Sequence, residues 1–151
     1  METSSIKVGD VVNKHPYTIF LNKTVNDAVL LMDSKQVNDL MVIDEEFNFI
    51  GVLSEGDLIR HLIPNLSVTN LATMAEAYKI FLDFAGGMKN QPIAQFILRD
   101  VITLNSDDEL LKASIVLITK NIRRLPVIQG RKLIGTISRT DICKALLTYA
   151  D

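Results

Sequence analysis

Gly135-Thr136-Ile137-Ser138-Arg139-Thr140-Asp141 has an earlier counterpart in Gly51-Val52-Leu53-Ser54-Glu55-Gly56-Asp57. Each ends a short apolar run with Gly and two aliphatic or β-branched residues, then places Ser, then Asp three positions on. An apolar helical pattern follows both: Leu58, Ile59 and Leu62 after the first, Ile142, Ala145 and Leu146 after the second. The pattern predicts strand, tight turn and helix, with Ser at the N-cap and Asp in the first turn. One such Ser-x-x-Asp is close to a capping box and occurs at helix starts that bind nothing. Two copies, with the same strand before and the same helix after, indicate an internal repeat.

Outward from these motifs the repeat extends over both halves. In the first, Ile6, Val8, Val11 and Val12 predict a helical turn that His15-Pro16 breaks, and Tyr17-Thr18-Ile19-Phe20 reads as extended. Thr24-Val25-Asn26-Asp27 opens a helix with Val25, Ala28, Val29 and Met32 on one face. Leu40-Met41-Val42-Ile43 and the run from Phe49 to Leu53 read as strands joined by an acidic turn. The second half repeats the order. Val101-Ile102-Thr103-Leu104 is extended, and Ser106-Asp107-Asp108-Glu109 caps a helix with Leu110, Ala113, Ser114 and Leu117 on its apolar face. Leu125-Pro126-Val127-Ile128 and the run from Leu133 to Ile137 are its strands. Thr18 falls on Thr103, Ala28 on Ala113 and Leu40 on Leu125; after a one-residue deletion Ser54 and Asp57 fall on Ser138 and Asp141.

The expected fold is therefore α/β (α+β): two pseudo-symmetric β-α-β-β-α halves, residues 1–63 and 93–151, with a helical insert at 64–92. Each half is only about 55 residues, too few to bury a convincing core alone, so the two should pack together. In the insert, Pro64-Asn65 ends the first half and 72–85 is helical, with Met74, Ala77, Tyr78 and Phe81 on one face and Gly86-Gly87 as its stop. This helix reads as a cover over core, or as a cap or dimer contact.

Composition narrows the function. Net charge is −2 at 151 residues, which gives no general drive towards nucleic acid or acidic membranes. The lone Cys143 offers no disulfide framework and reads as a packed thiol. No signal peptide or membrane-spanning run is read, so a cytoplasmic location is expected. His15 and His61, the two histidines, sit in no catalytic or metal-ligand pattern, and neither an enzyme nor a cofactor or metal site is expected.

With these motifs in place, the chain resembles a tandem pair of cystathionine-β-synthase (CBS) domains, a Bateman module, over roughly residues 6–63 and 93–148. The resemblance implies an adenosine nucleotide (AMP, ADP, ATP or a related adenosyl compound) held between the halves, a homodimer, and regulation of a partner that the sequence does not identify. It places ribose on Asp57 and Asp141, phosphate on Ser54 and Ser138, and the base near Thr18 and Thr103. A carboxylate can accept both hydrogens of a cis-diol, and Ser at a helix N-terminus adds a donor where backbone N–H groups already favour an anion. Arg123, Arg124, Arg139 and Thr140 complete the expected ligand set.

The halves differ in charge. Asp39 stands where the second half has Arg124, Met41 where it has Pro126, and Glu55 where it has Arg139. Residues 1–63 carry five basic against ten acidic side chains, and residues 93–151 nine against six. Phosphate is therefore expected to depend on the second half, so that Asp141 matters more than Asp57. The alternative is an interaction module whose clefts stay empty.

Overall fold

The computed structural model describes residues 5–67 and 73–150. Its strands and helices run β1 (Thr18–Phe20), α1 (Val25–Lys35), β2 (Asp39–Ile43), β3 (Phe49–Ser54), α2 (Glu55–Ser67), α3 (Met74–Met88), β4 (Leu104–Asn105), α4 (Leu110–Thr119), β5 (Arg124–Gln129), β6 (Lys132–Ser138) and α5 (Arg139–Tyr149). The strands form two three-stranded sheets, ordered β1-β2-β3 and β4-β5-β6. β1 runs parallel to β2 with Thr18 opposite Met41, and β4 runs parallel to β5 with Leu104 opposite Val127. Those registers are the same register in the two repeats, as the alignment of Thr18 with Thr103 requires.

The chain divides into two compact units that cross the sequence repeat. The amino unit takes residues 18–44 and 50–99; the carboxy unit takes residues up to Tyr17, Glu45–Phe49 and those from Asp100 onward. In the carboxy unit, a 3₁₀ turn at Val8–Asp10 lies against the start of α4. There the Val8 N–H donates to Asp108 O at 2.8 Å and the Leu110 N–H to Ile6 O at 2.8 Å. Farther along, Asn13 bridges Thr136 on β6 through two backbone hydrogen bonds of 2.8 and 3.0 Å. The amino unit does the same with residues 89–98. Val25 N–H donates to Gln91 O, a 3₁₀ turn forms at Ile93–Gln95, and Leu98 bridges Val52 on β3 at 2.8 and 2.9 Å. Each outer strand, β3 or β6, thereby finds partners for backbone groups that an open edge would leave bare.

These bridges explain the glycine of each motif. A Cβ on Gly135 would lie 2.6 Å from Val12 Cγ2 and 3.0 Å from the Asn13 carbonyl carbon, and one on Gly51 would lie 3.2 Å from the Leu98 carbonyl carbon. Only glycine lets the bridging segment come so close.

The core of the amino unit gathers Val25, Ala28 and Met32 of α1 with Leu40, Val42, Leu53, Leu58, Met88, Ile93 and Phe96. That of the carboxy unit gathers Leu110, Ala113 and Leu117 of α4 with Val8, Leu104, Leu125, Val127, Ile137, Ile142 and Ala145. Five residues counted on the apolar faces, Val29, Ile59, Met74, Tyr78 and Leu146, are instead exposed.

Several further expectations are corrected. α3 does not stop at Gly86-Gly87 but continues to Met88, which is buried in the amino-unit core. Burying a methionine is worth about 1.5 to 3 kcal/mol, enough to offset a cost of about 0.5 to 1 kcal/mol for each helical glycine. The expected start at Ala72 lies outside the described residues; the side chain of Thr73 caps α3 by accepting the Glu76 N–H at 3.1 Å. α2 itself runs on through Pro64 to Ser67. Cys143 is exposed, because α5 turns Ile142 and Ala145 inward and leaves position 143 on the outer side. Ser106 does not cap α4: Glu109 occupies the N-cap without a side-chain bond, and the Asp108 carboxylate instead accepts the Asn105 N–H at 2.8 Å. No helix among the described residues is long and apolar enough to cross a membrane.

Candidate functional site

In the carboxy unit, β4 and β5 begin at the same sheet edge at which the antiparallel β6 ends. Thr103 therefore precedes β4 at the end of the sheet where Arg124 opens β5, and Arg124 stands directly opposite Ser138. Ser138 is the N-cap of α5, its Oγ accepting the Asp141 N–H at 3.1 Å, while Asp141 Oδ2 accepts the Ser138 N–H at 2.9 Å. This reciprocal cap fixes the motif turn. It uses one oxygen of Asp141 and only the acceptor side of Ser138. Among the described residues, neither Asp141 Oδ1 nor the Ser138 hydroxyl proton has a protein partner. Asp141 also borders a cavity of about 300 Å³ with Asp10, Lys144, Thr148 and Tyr149.

The same edge of the amino unit carries Thr18, Asp39 and Ser54, with Asp57 in the first turn of α2. Its motif is closed on itself. The Ser54 hydroxyl donates to Asp57 Oδ2 at 2.8 Å and accepts the Asp57 N–H at 3.2 Å. Arg60 donates to Asp57 Oδ1 at 2.6 Å. Both carboxylate oxygens are engaged, so a ribose diol would have to displace a protein partner here. His61 lies one turn on, its ring Nδ1 donating to Asp57 O at 2.8 Å and its edge packed on Phe96 with ring centres 4.8 Å apart.

Arg139 does not point its charge into solvent at the motif. Its Nε donates to Ile122 O at 2.9 Å, and one terminal nitrogen reaches Leu117 O and Asn121 Oδ1, each at 3.1 Å. The guanidinium thus closes the C-terminal end of α4, where unpaired carbonyls and the helix dipole favour a cation. Sequence gave no sign of this, since the acceptors lie 17 to 22 residues away. Two further basic residues stand at the start of β5, the exposed Arg123 and the half-buried Arg124. Thr140 is exposed, and Thr18 and Thr103 are half-buried.

The family profile described as CBS domain matches residues 8–64 and 93–148. The chain is 24% identical to the uncharacterized protein MJ1225 of Methanocaldococcus jannaschii, over 92% of this chain and 42% of that one. It spans less than half the length of several curated relatives that it matches. Among solved structures it is similar to the CBS-pair protein CBSX2 from Arabidopsis thaliana, with a TM-score of 0.75, 23% identity and 96% of each chain covered. CBSX2 has also been solved in complex with AMP. The CBS domain pair of MJ0100, in complex with 5′-methylthioadenosine and S-adenosyl-L-methionine, aligns with a TM-score of 0.65 at 21% identity, over 96% of this chain and 98% of that one.

Proposed function

Because the chain belongs to the CBS domain family and carries the domain twice, we propose that it is a non-catalytic regulatory module that binds an adenosine nucleotide through the carboxy-unit motif. The observation that carries this reading is the contrast between the two turns. Asp141 keeps Oδ1 for a ribose hydroxyl and Ser138 keeps its proton for a phosphate oxygen, whereas Asp57 and Ser54 spend both on protein partners. Arg124, opposite Ser138, and the neighbouring Arg123 add the charge that a phosphate needs. Arg139 contributes by fixing the end of α4. Thr103 lies at the same sheet edge, within the expected base-contacting segment. Adenosyl ligands in CBSX2 and MJ0100 support the ligand class.

The reading includes a homodimer. Leu111, Ile115 and Ile118 of α4 and Leu147 of α5 are between 53% and 81% exposed, as are Met74, Tyr78 and Leu82 of α3 at 61% to 72%. Faces this apolar are what a second copy covers. The signal would then pass to the partner through the geometry of that dimer.

Thermal shift with AMP, ADP, ATP and their 2′-deoxy forms tests the ligand. A ribonucleotide should raise the melting temperature in a concentration-dependent way, and its 2′-deoxy form should do so less. No shift with any adenosine compound would leave the empty interaction module as the better account.

A further inference from the structure

The two repeats end their first helix alike. In the carboxy unit, Asn121 is left-handed at φ 53°, with Asn121 N–H to Ile118 O at 3.3 Å and Ile122 N–H to Leu117 O at 3.0 Å. In the amino unit, Gln36 is left-handed at φ 54°, with Gln36 N–H to Asp33 O at 3.2 Å and Val37 N–H to Met32 O at 3.0 Å. The residue that opens the later helix is placed alike as well, Arg139 N–H on Arg123 O at 3.2 Å and Glu55 N–H on Asn38 O at 3.1 Å. One side chain breaks the match. Where the Arg139 guanidinium closes the end of α4, Glu55 stands at the end of α1 and leaves a cavity of about 360 Å³, lined by Met32, Asp33, Gln36, Val37, Asn38 and Glu55.

We propose that this cavity binds a guanidinium cation supplied from outside the chain. The carboxy unit shows the mode, because its own guanidinium is held there by two main-chain carbonyls and one side-chain amide oxygen. The matching acceptors are Met32 O, Val37 O and the amide of Gln36. Met32 O accepts the Val37 N–H at 3.0 Å and shares the Gln36 N–H with Asp33 O, so a guanidinium there would compete with that shared bond. Gln36 donates its Nε2 to Asp33 O at 2.7 Å, which leaves Oε1 as an acceptor. The carboxylate of Glu55 and that of the exposed Asp33 add negative charge to the helix C-terminus, so an anion is disfavoured and a cation is drawn in. A planar fork meets several in-plane acceptors at once, which a point-like ammonium does not. Arg60, a basic residue of the same unit, is held by Asp57, and Lys35 does not line the cavity.

The test is a titration of the isotopically labelled full chain, followed through its backbone amide resonances. N-acetyl-arginine amide stands for an arginine side chain of another protein, agmatine for a free guanidine compound, and N-acetyl-lysine amide is the ammonium control. Saturable shifts at Gln36, Val37, Asn38 and Glu55 with a guanidine compound, and weaker ones with lysine, are expected; the tighter of the two guanidine ligands identifies the source. Glu55→Gln should weaken binding about tenfold, from the loss of one charged partner. Glu55→Arg should abolish it by filling the cavity from within, and should raise thermal stability. Absence of saturable shifts at those amides, equal response to lysine, or unchanged binding in Glu55→Arg would overturn the proposal.

Discussion

Replacing Gly135 by alanine tests the packing of the amino-terminal segment on β6. The new Cβ would stand 2.6 Å from Val12 Cγ2, where ordinary contact begins at 3.4 Å, and closer still to the carbonyl oxygen of Asn13. The segment must retreat, and the nearest atoms are largely backbone, so no rotamer change relieves the clash. Retreat stretches both hydrogen bonds between Asn13 and Thr136, now 2.8 and 3.0 Å. Losing the pair costs about 1 to 3 kcal/mol, and enduring the overlap instead costs about the same. A net loss of about 2 kcal/mol is expected, a large fraction of the stability of a small protein. The chain has no tryptophan, so urea unfolding is best followed by circular dichroism. The midpoint should fall by about 1 M for a slope of about 2 kcal/mol/M. Gly86→Ala is the matched control: it sits in α3 with nothing within 4 Å of the added Cβ, and it should stabilise by about 0.5 to 1 kcal/mol. Gly135→Ala within about 0.5 kcal/mol of the parent, the ordinary scatter of surface changes, would mean that the amino-terminal segment is not held against β6 at this glycine.

Arg139→Ala should cost about 1.5 to 3 kcal/mol by uncovering the end of α4, whereas Arg123→Ala, at an exposed position, should leave urea stability within about 0.5 kcal/mol. Acid should destabilise the fold through its caps. The Thr24 backbone N–H, then the Thr24 side chain, holds the Asp27 carboxyl below its ordinary value, and the Asn105 N–H, then Lys112, does so for Asp108. Because the folded values lie below the unfolded ones, this stability is complete above about pH 4 and fades as pH falls through the folded values. Asp27→Asn and Asp108→Asn should each flatten the pH dependence of the urea midpoint below about pH 4. Light scattering at tens of micromolar, roughly where ordinary dimers persist, should give the mass of two chains. The 16.9 kDa of a single chain would refute the dimer.

The repeat was legible because each half spends its apolar residues with the same period. Aligning Thr18 with Thr103 foretold matching registers, and both sheets have them. The exchange of opening segments was not legible. Val8 and Ile93 are apolar in either arrangement, and no local pattern says which half will bury them. Gly51 and Gly135 held the clue, since a glycine inside a strand marks a close backbone approach. Gly86-Gly87 misled for the opposite reason: the stop rule is local, while Met88 is anchored by distant core residues. At the candidate site, the Ser and Asp positions were readable from spacing. Whether each carboxylate is free was not, because it turns on Arg60 meeting Asp57 and on where the Arg139 side chain goes.

Calorimetric titration of AMP and ATP into the parent chain, Asp57→Ala and Asp141→Ala decides whether the carboxy-unit motif holds the nucleotide. Asp141→Ala should lose affinity by roughly ten- to a hundredfold, the worth of a charged hydrogen bond, while Asp57→Ala should stay within a few-fold of the parent. Loss in Asp57→Ala with Asp141→Ala unaffected would place the nucleotide on the other motif, and equal losses in both would contradict the distinction between a free and a closed turn.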